Sequence, residues 1–330
     1  MARRALITGI NGQDGSYLAE FLLEKGYEVW GTLKRNSVAE TQTSRIQHLR
    51  DREAVRLEYA DMLDVPSLVR VLKLSRPDEI YNLAAQSHVR VSFDQPIYTA
   101  LSTGLGALNL FEAVRLTCPE ARLYQAGSSE MFGEPAETPQ TETTPLNPVS
   151  PYGCAKAFAH HQARQYRSSY GLFIANGILF NHESPRRGES FVTAKVVIGA
   201  LEIKQGLRRT LPLGNLDARR DWGHARDYVR AMWLMLQQPT PEDFVIATGR
   251  DRSVRDLAGL VFGRLGLADW ERHVTTDPRY LRPVEISVLR GDATKARKAL
   301  GWAPIIGFEE MIDEMIAHFE RVVATRAART

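Results

Sequence analysis

Arg4-Ala5-Leu6-Ile7-Thr8-Gly9-Ile10-Asn11-Gly12-Gln13-Asp14-Gly15-Ser16-Tyr17-Leu18 is the stretch on whose reading the fold depends. Residues 4–8 read as a short buried strand, and glycines at 9, 12 and 15 follow it. From Ser16 to Lys25 apolar residues recur at helical spacing, until Gly26 offers a stop. Strand, glycine turn and helix form the setting of a phosphate-cradling loop. The missing side chains let backbone approach a pyrophosphate, while the helix start offers N–H donors and a positive dipole end. The spacing is Gly-x-x-Gly-x-x-Gly, not the Gly-x-Gly-x-x-Gly of the simpler dinucleotide fingerprint, so position carries the reading more than pattern.

The next strand, 28–33, ends at Lys34-Arg35-Asn36-Ser37. An acid at such a strand end would hold the ribose hydroxyls of NAD, whereas a basic residue accommodates a 2′-phosphate. Lys34 and Arg35 therefore predict NADP, with Arg35 as the clamp. Strand 55–60 leads to Asp61-Met62, where a carboxylate can meet the adenine amine. Strand 79–83 opens into Ala84-Ala85-Gln86-Ser87, and strand 122–126 into Gly127-Ser128-Ser129-Glu130. Strands alternating with amphipathic helices mean a parallel sheet with ligands at the strands' carboxyl ends. The expected fold is α/β, a Rossmann-type doubly wound parallel sheet with a smaller carboxyl-terminal substrate-binding lobe. The division falls at 1–175 and 176–330, with crossovers interleaving the boundary.

The stretch Pro151-Tyr152-Gly153-Cys154-Ala155-Lys156 brings chemistry to that scaffold. Tyr152 and Lys156 stand four apart and share one face of a helix. A phenol of ordinary pKa near 10 is no base at neutral pH. A lysine one turn away, with the positive charge of a cofactor nearby, is expected to pull that value down. Such a pair can take a proton from a sugar hydroxyl while a nicotinamide takes the hydride. On its own the spacing is common in surface helices; the candidate sites at 9–15, 84–87 and 128–130 give it a context.

Composition excludes several classes. The 330 residues are 44% hydrophobic and 25% charged, enough for a sizeable core. A net charge of +3, with scattered basic residues, does not point to nucleic acid. Cys118 and Cys154 give neither a disulfide framework nor zinc spacing, no metal site is expected, and a reducing cytoplasm fits. The start lacks the apolar core of a secretory signal, and no run suits a membrane span. A cytoplasmic protein is expected.

With these residues in place the chain resembles the extended short-chain dehydrogenase/reductases, and more narrowly the GDP-mannose 4,6-dehydratase family. The likeness runs nearly end to end. Its most specific stretches are 9–18, Gly177-Ile178-Leu179-Phe180-Asn181-His182-Glu183-Ser184-Pro185-Arg186-Arg187-Gly188 and 213–224. The resemblance implies oxidation at C4, loss of water across C5 and C6, and re-reduction at C6 through one bound NADP. Tyr152 would be the base at the 4-hydroxyl, Lys156 would hold it and the ribose, and Ser128 would bond the 4-oxygen. Glu130 would remove the C5 proton; reductases and epimerases of the superfamily need no carboxylate there.

The same resemblance assigns NADP contacts to Gly9, Ile10, Asn11, Gly12, Gln13 and Asp14, and to Lys34, Arg35, Asn36 and Ser37. It adds Asp61, Met62, Leu83, Ala84, Ala85, Gln86, Ser87, Tyr98, Tyr152, Lys156, His182 and Arg187. Asn181, Lys195, Arg220 and Arg282 would hold a GDP-sugar, cations matching a diphosphate. Asn11, Gly127-Ser128, Ala194 and Ser287 depart from the family pattern, the last two leaving room for a modified GDP-hexose or a GDP-heptose. An NADP-dependent reductase or epimerase is the alternative from another reaction class, and a non-catalytic NADP-binding regulator a third. A homodimer or homotetramer is implied, with the 35–45 segment resembling a loop that reaches a neighbour's cofactor.

Overall fold

The computed structural model describes residues 2–35 and 43–327, so Asn36 and Ser37 lie outside the described residues. Strand β1 (Arg4–Thr8) runs through the middle of a seven-stranded sheet. Its Ala5, Leu6 and Ile7 are apolar on both faces and buried, as a parallel strand covered by helices on both sides requires. To one side lie β2 (Glu28–Leu33) and β3 (Val55–Tyr59). To the other lie β4 (Glu79–Asn82), β5 (Arg122–Ala126), β6 (Ile174–Leu179) and β10 (Asp243–Ile246). Every pairing is parallel. The strand order reverses between β1 and β4, which opens a crevice above their carboxyl ends.

Local chemistry sets the elements beside that crevice. The helix Gln13–Glu24 begins within the glycine turn, three residues earlier than the apolar spacing suggests, and Gly26 takes φ +79 after it. The helix Pro151–Tyr170 has Pro151 in its first turn and a Ser150 cap, whose Oγ accepts from Gly153 N at 3.0 Å. Gly171, at φ +69, stops it. A π-helical stretch, Ala100–Leu105, crosses the first turns of this helix, where a Cβ on Gly104 would meet the Ala155 carbonyl at 3.4 Å.

The carboxyl-terminal lobe is built on β9 (Arg219–His224), flanked by β7 (Asn181–Glu183), β11 (Asp251–Ser253) and β13 (Val288–Leu289). A parallel pair, β8 (Leu211–Leu213) and β12 (Val274–Thr276), lies apart from it. Its core joins helices Val192–Lys204, Val254–Arg264 and Phe308–Ala327. In the last helix Met311, Met315, Phe319 and Val323 form one buried stripe at spacing four. The halves interleave: helix Ala225–Leu236, strand β10 and Trp302 all join the core around β1. Among the described residues no helix is long and apolar enough to cross a membrane.

Candidate active site

The crevice is a cleft of about 910 Å3 between the sheet's carboxyl edge and the second lobe. Its cofactor end is shaped by glycine. Gly9 sits at φ +70, and a Cβ on it would lie 3.1 Å from Ala84 Cα; one on Gly15 would lie 2.4 Å from the Gly9 carbonyl oxygen. The turn is therefore closed to side chains, and Gly12, Asn11 and Asp14 line the cleft around it. Thr8 Oγ1 accepts from Leu83 N and Ala84 N, fixing the second backbone wall. A cradle of this form fits a dinucleotide pyrophosphate.

Asp14 and His182 bind this wall to the second lobe. His182 Nε2 meets Asp14 Oδ2 at 2.8 Å, and its Nδ1 meets the Phe180 carbonyl at 2.8 Å. Burial opposes both charges, yet the pairing prevails: the Asp14 carboxyl is held below its usual range and the His182 imidazole above its own. Its ring also stacks on Tyr228 at 4.5 Å. Gln13 completes the junction, donating to the His182 carbonyl and accepting from Ser184 Oγ. Arg187 pairs with buried Glu183 at 3.0 Å and lies over the Phe191 ring.

Beyond the glycine turn, Lys34 Nζ donates to Tyr98 OH at 3.0 Å and pairs with Asp61 Oδ2 at 3.1 Å, while Arg35 stands over the Tyr59 ring. Lys34 and Arg35 follow β2, Tyr59 and Asp61 lie at the end of β3, and Tyr98 sits in the short helix Pro96–Thr99, all outside the cleft's own lining. Ile10 and Met62 are buried in the cores. Gln86 is anchored through its backbone N–H to Thr103 Oγ1, and Ala85 and Ser87 line the cleft.

The four candidate catalytic side chains converge on the middle of the cleft. Ser128 caps the one-turn helix Ser129–Met131, accepting from Glu130 N at 3.2 Å, and its hydroxyl faces the Tyr152 phenol. The phenol differs from the expectation. Burial pushes it up to about 12, relieved in part by Ser128 and worsened by the Glu130 charge. Lys156 does not counter this: its ammonium lies 5.8 Å from the Tyr152 ring centre and donates to the Ala126 carbonyl at 2.8 Å. Burial in turn pulls Lys156 down to about 8. Glu130 is 5% exposed; its Oε1 accepts from Arg282 Nη1 at 3.0 Å, and its Oε2 is buried with no hydrogen-bond partner among the described residues.

Beyond Glu130 the second lobe supplies cations. Buried Arg220 donates to the Ile286 carbonyl at 2.8 Å and to Glu285 Oε1 at 3.1 Å. Lys195 sits over the Tyr280 ring at 3.0 Å, its ammonium pulled to about 8 by burial and by Arg208 and Arg279. Asn181 Oδ1 and Trp222 Nε1 are buried without partners in this wall. Ala194 is fully buried in the lobe's core. Sequence reasoning missed Glu285, Trp222 and Tyr280. Their only signal was adjacency to Arg282 and Arg220, which says nothing about orientation.

A doubly wound sheet with a tyrosine and a lysine one helical turn apart beside a glycine cradle defines a short-chain dehydrogenase/reductase. In fold the chain matches the dTDP-glucose 4,6-dehydratase DesIV of Streptomyces venezuelae, solved with NAD bound, at TM-score 0.85 and 25% identity over 96% of this chain and 97% of that one. A family model described as GDP-mannose 4,6 dehydratase matches residues 6–315. GDP-mannose 4,6 dehydratase 2 of Arabidopsis thaliana is 53% identical over 94% of this chain and 85% of its own length. The human GDP-mannose 4,6 dehydratase is 50% identical over 94% and 90%. The chain belongs to the GDP-mannose 4,6-dehydratase family.

Proposed function

We propose that the protein converts GDP-D-mannose to GDP-4-keto-6-deoxy-D-mannose and water, with NADP as a resident hydride carrier. The observation that carries this reading is Glu130: a buried carboxylate with an unpartnered oxygen in the cleft wall that also holds Tyr152 and Ser128. When bound, the nicotinamide supplies a hydride acceptor at C4 and a donor at C6. Tyr152 removes the 4-hydroxyl proton while Ser128 holds that oxygen. The 4-keto group then acidifies the C5 proton, which Glu130 takes. Two protons are collected, by Tyr152 and Glu130, and two are returned, one to the departing 6-hydroxyl and one to C5. The single carboxylate serves as base and relays the acid role.

Lys34 and Arg35 support NADP over NAD through their place at the end of β2. Arg220, Lys195 and Arg282, with Asn181, form the wall we assign to the GDP-sugar diphosphate and sugar. The product would supply deoxyhexose nucleotide-sugar synthesis. Enzyme incubated with a panel of GDP-, dTDP- and UDP-sugars and no added reductant should release one water mass from GDP-mannose alone. Stoichiometric NADPH consumption on a ketosugar, with no loss of water, would instead make it a reductase. The Glu130→Gln variant should lose elimination and keep NADP affinity.

A further inference from the structure

We propose that Arg282 is the positioning residue of the Glu130 carboxylate, holding one oxygen so that the other is presented to C5. This inference rests on the reading of Glu130 as the C5 base. A glutamate's terminal torsion is broad and close to two-fold, so a carboxylate without a fixed partner does not keep one oxygen on a reacting carbon. The Glu130 backbone is already fixed: its N–H donates to Ser128 Oγ, and Gly153 lies so close that a Cβ there would stand 2.6 Å from the Glu130 carbonyl oxygen. What remains free is the carboxylate plane. Arg282 Nη1 takes Oε1 at 3.0 Å, and Oε2 is left buried and unpartnered on a residue that lines the cleft.

Arg282 is itself held. Its segment is tied to β9 by Arg220 Nη1 on the Ile286 carbonyl at 2.8 Å and by Arg219 N on the Ser287 carbonyl at 2.9 Å. Ser287 N donates to Glu134 Oε2 at 3.2 Å, four residues from the base. The guanidinium therefore reaches Glu130 from a braced loop, 152 positions away in the chain. A guanidinium stays charged at every working pH, so this single contact to Oε1 is kept throughout. Arg282 also lines the cleft beside Arg220, so the side chain assigned to the diphosphate is the one that orients the base.

The test compares Arg282→Gln, Arg282→Lys and Glu130→Gln with the wild type on GDP-mannose. Three readouts are followed: near-ultraviolet absorbance of reduced nicotinamide, deuterium uptake at C5 from heavy water, and water loss. At GDP-mannose concentrations high enough to offset any weakened hold on the diphosphate, Arg282→Gln should still reduce the nicotinamide, which shows that it is folded and loaded. Its C5 exchange and its kcat for water loss should both fall about 10²-fold, with part of the loss recovered in Arg282→Lys. A raised KM with wild-type kcat and exchange would overturn the proposal and leave Arg282 a binding residue only. Loss of nicotinamide reduction together with exchange would also overturn it, by placing Arg282 in binding of the whole substrate. If Glu130→Gln turns over normally, the base assignment itself fails. If Glu130→Gln is inactive while Arg282→Gln keeps its kcat, only this inference fails.

Discussion

A phenol that burial pushes to about 12 yields its proton at neutral pH only if something in the loaded cleft stabilises the phenolate. Lys156 is committed to the Ala126 carbonyl and the Arg187 charge does not offset the burial, so the positive ring of an oxidised nicotinamide would be the further source of that field. The difference spectrum between wild type and Tyr152→Phe should therefore show tyrosinate only above about pH 11 without cofactor, and at lower pH with NADP bound. Tyr152→Phe should keep its NADP affinity and lose about 10³-fold in turnover. The Asp14–His182 pair gives a second prediction. The depressed Asp14 value stabilises the fold above the usual carboxylate range, a gain lost as pH falls through it. The raised His182 value stabilises below the usual imidazole range, a gain lost as pH rises through it. Asp14→Asn should cost about 2 kcal/mol. Its melting deficit should be widest near about pH 5–6 and shrink above about pH 8. Tyr152, Lys156, Ser128 and Glu130 were legible as candidates because each follows a strand end or shares a helix face. Their electrostatic states were not, since burial of the phenol and the partner of Lys156 depend on β5, thirty residues away.

Elements were legible where turn chemistry is local. Gly26 reads as a helix stop in the sequence, and the helix Gln13–Glu24 ends beside it. The π-helical stretch and the return of β10 to the sheet left no comparable trace, because both are decided by distant partners. The glycine turn yields the element-scale prediction. A Cβ on Gly15 would stand 2.4 Å from the Gly9 carbonyl oxygen and 2.7 Å from Ile10 Cα, both backbone atoms with nowhere to move. Gly15→Ala should lose about 1–3 kcal/mol of stability and bind NADP at least about tenfold more weakly by fluorescence titration. Arg35→Ala should weaken NADP and leave NAD affinity nearly unchanged, since only the former carries the 2′-phosphate.

At the scale of the molecule, Ile97, Leu101 and Leu105 form an exposed apolar stripe at spacing four, and Phe158 of the Tyr152 helix lies beside it across Gly104. The second lobe is not an independent body. Trp302 donates to the Asp227 carbonyl at 2.8 Å, Asp227 Oδ2 accepts from Ile305 N and Ile306 N, and β10 pairs along its length with β6. Elements of the carboxyl-terminal half run through the core around β1, so the chain passes between the two cores several times rather than at one hinge. Rotating one lobe against the other would bend all of those crossings together, and X-ray scattering profiles of the free and GDP-loaded enzyme should superimpose.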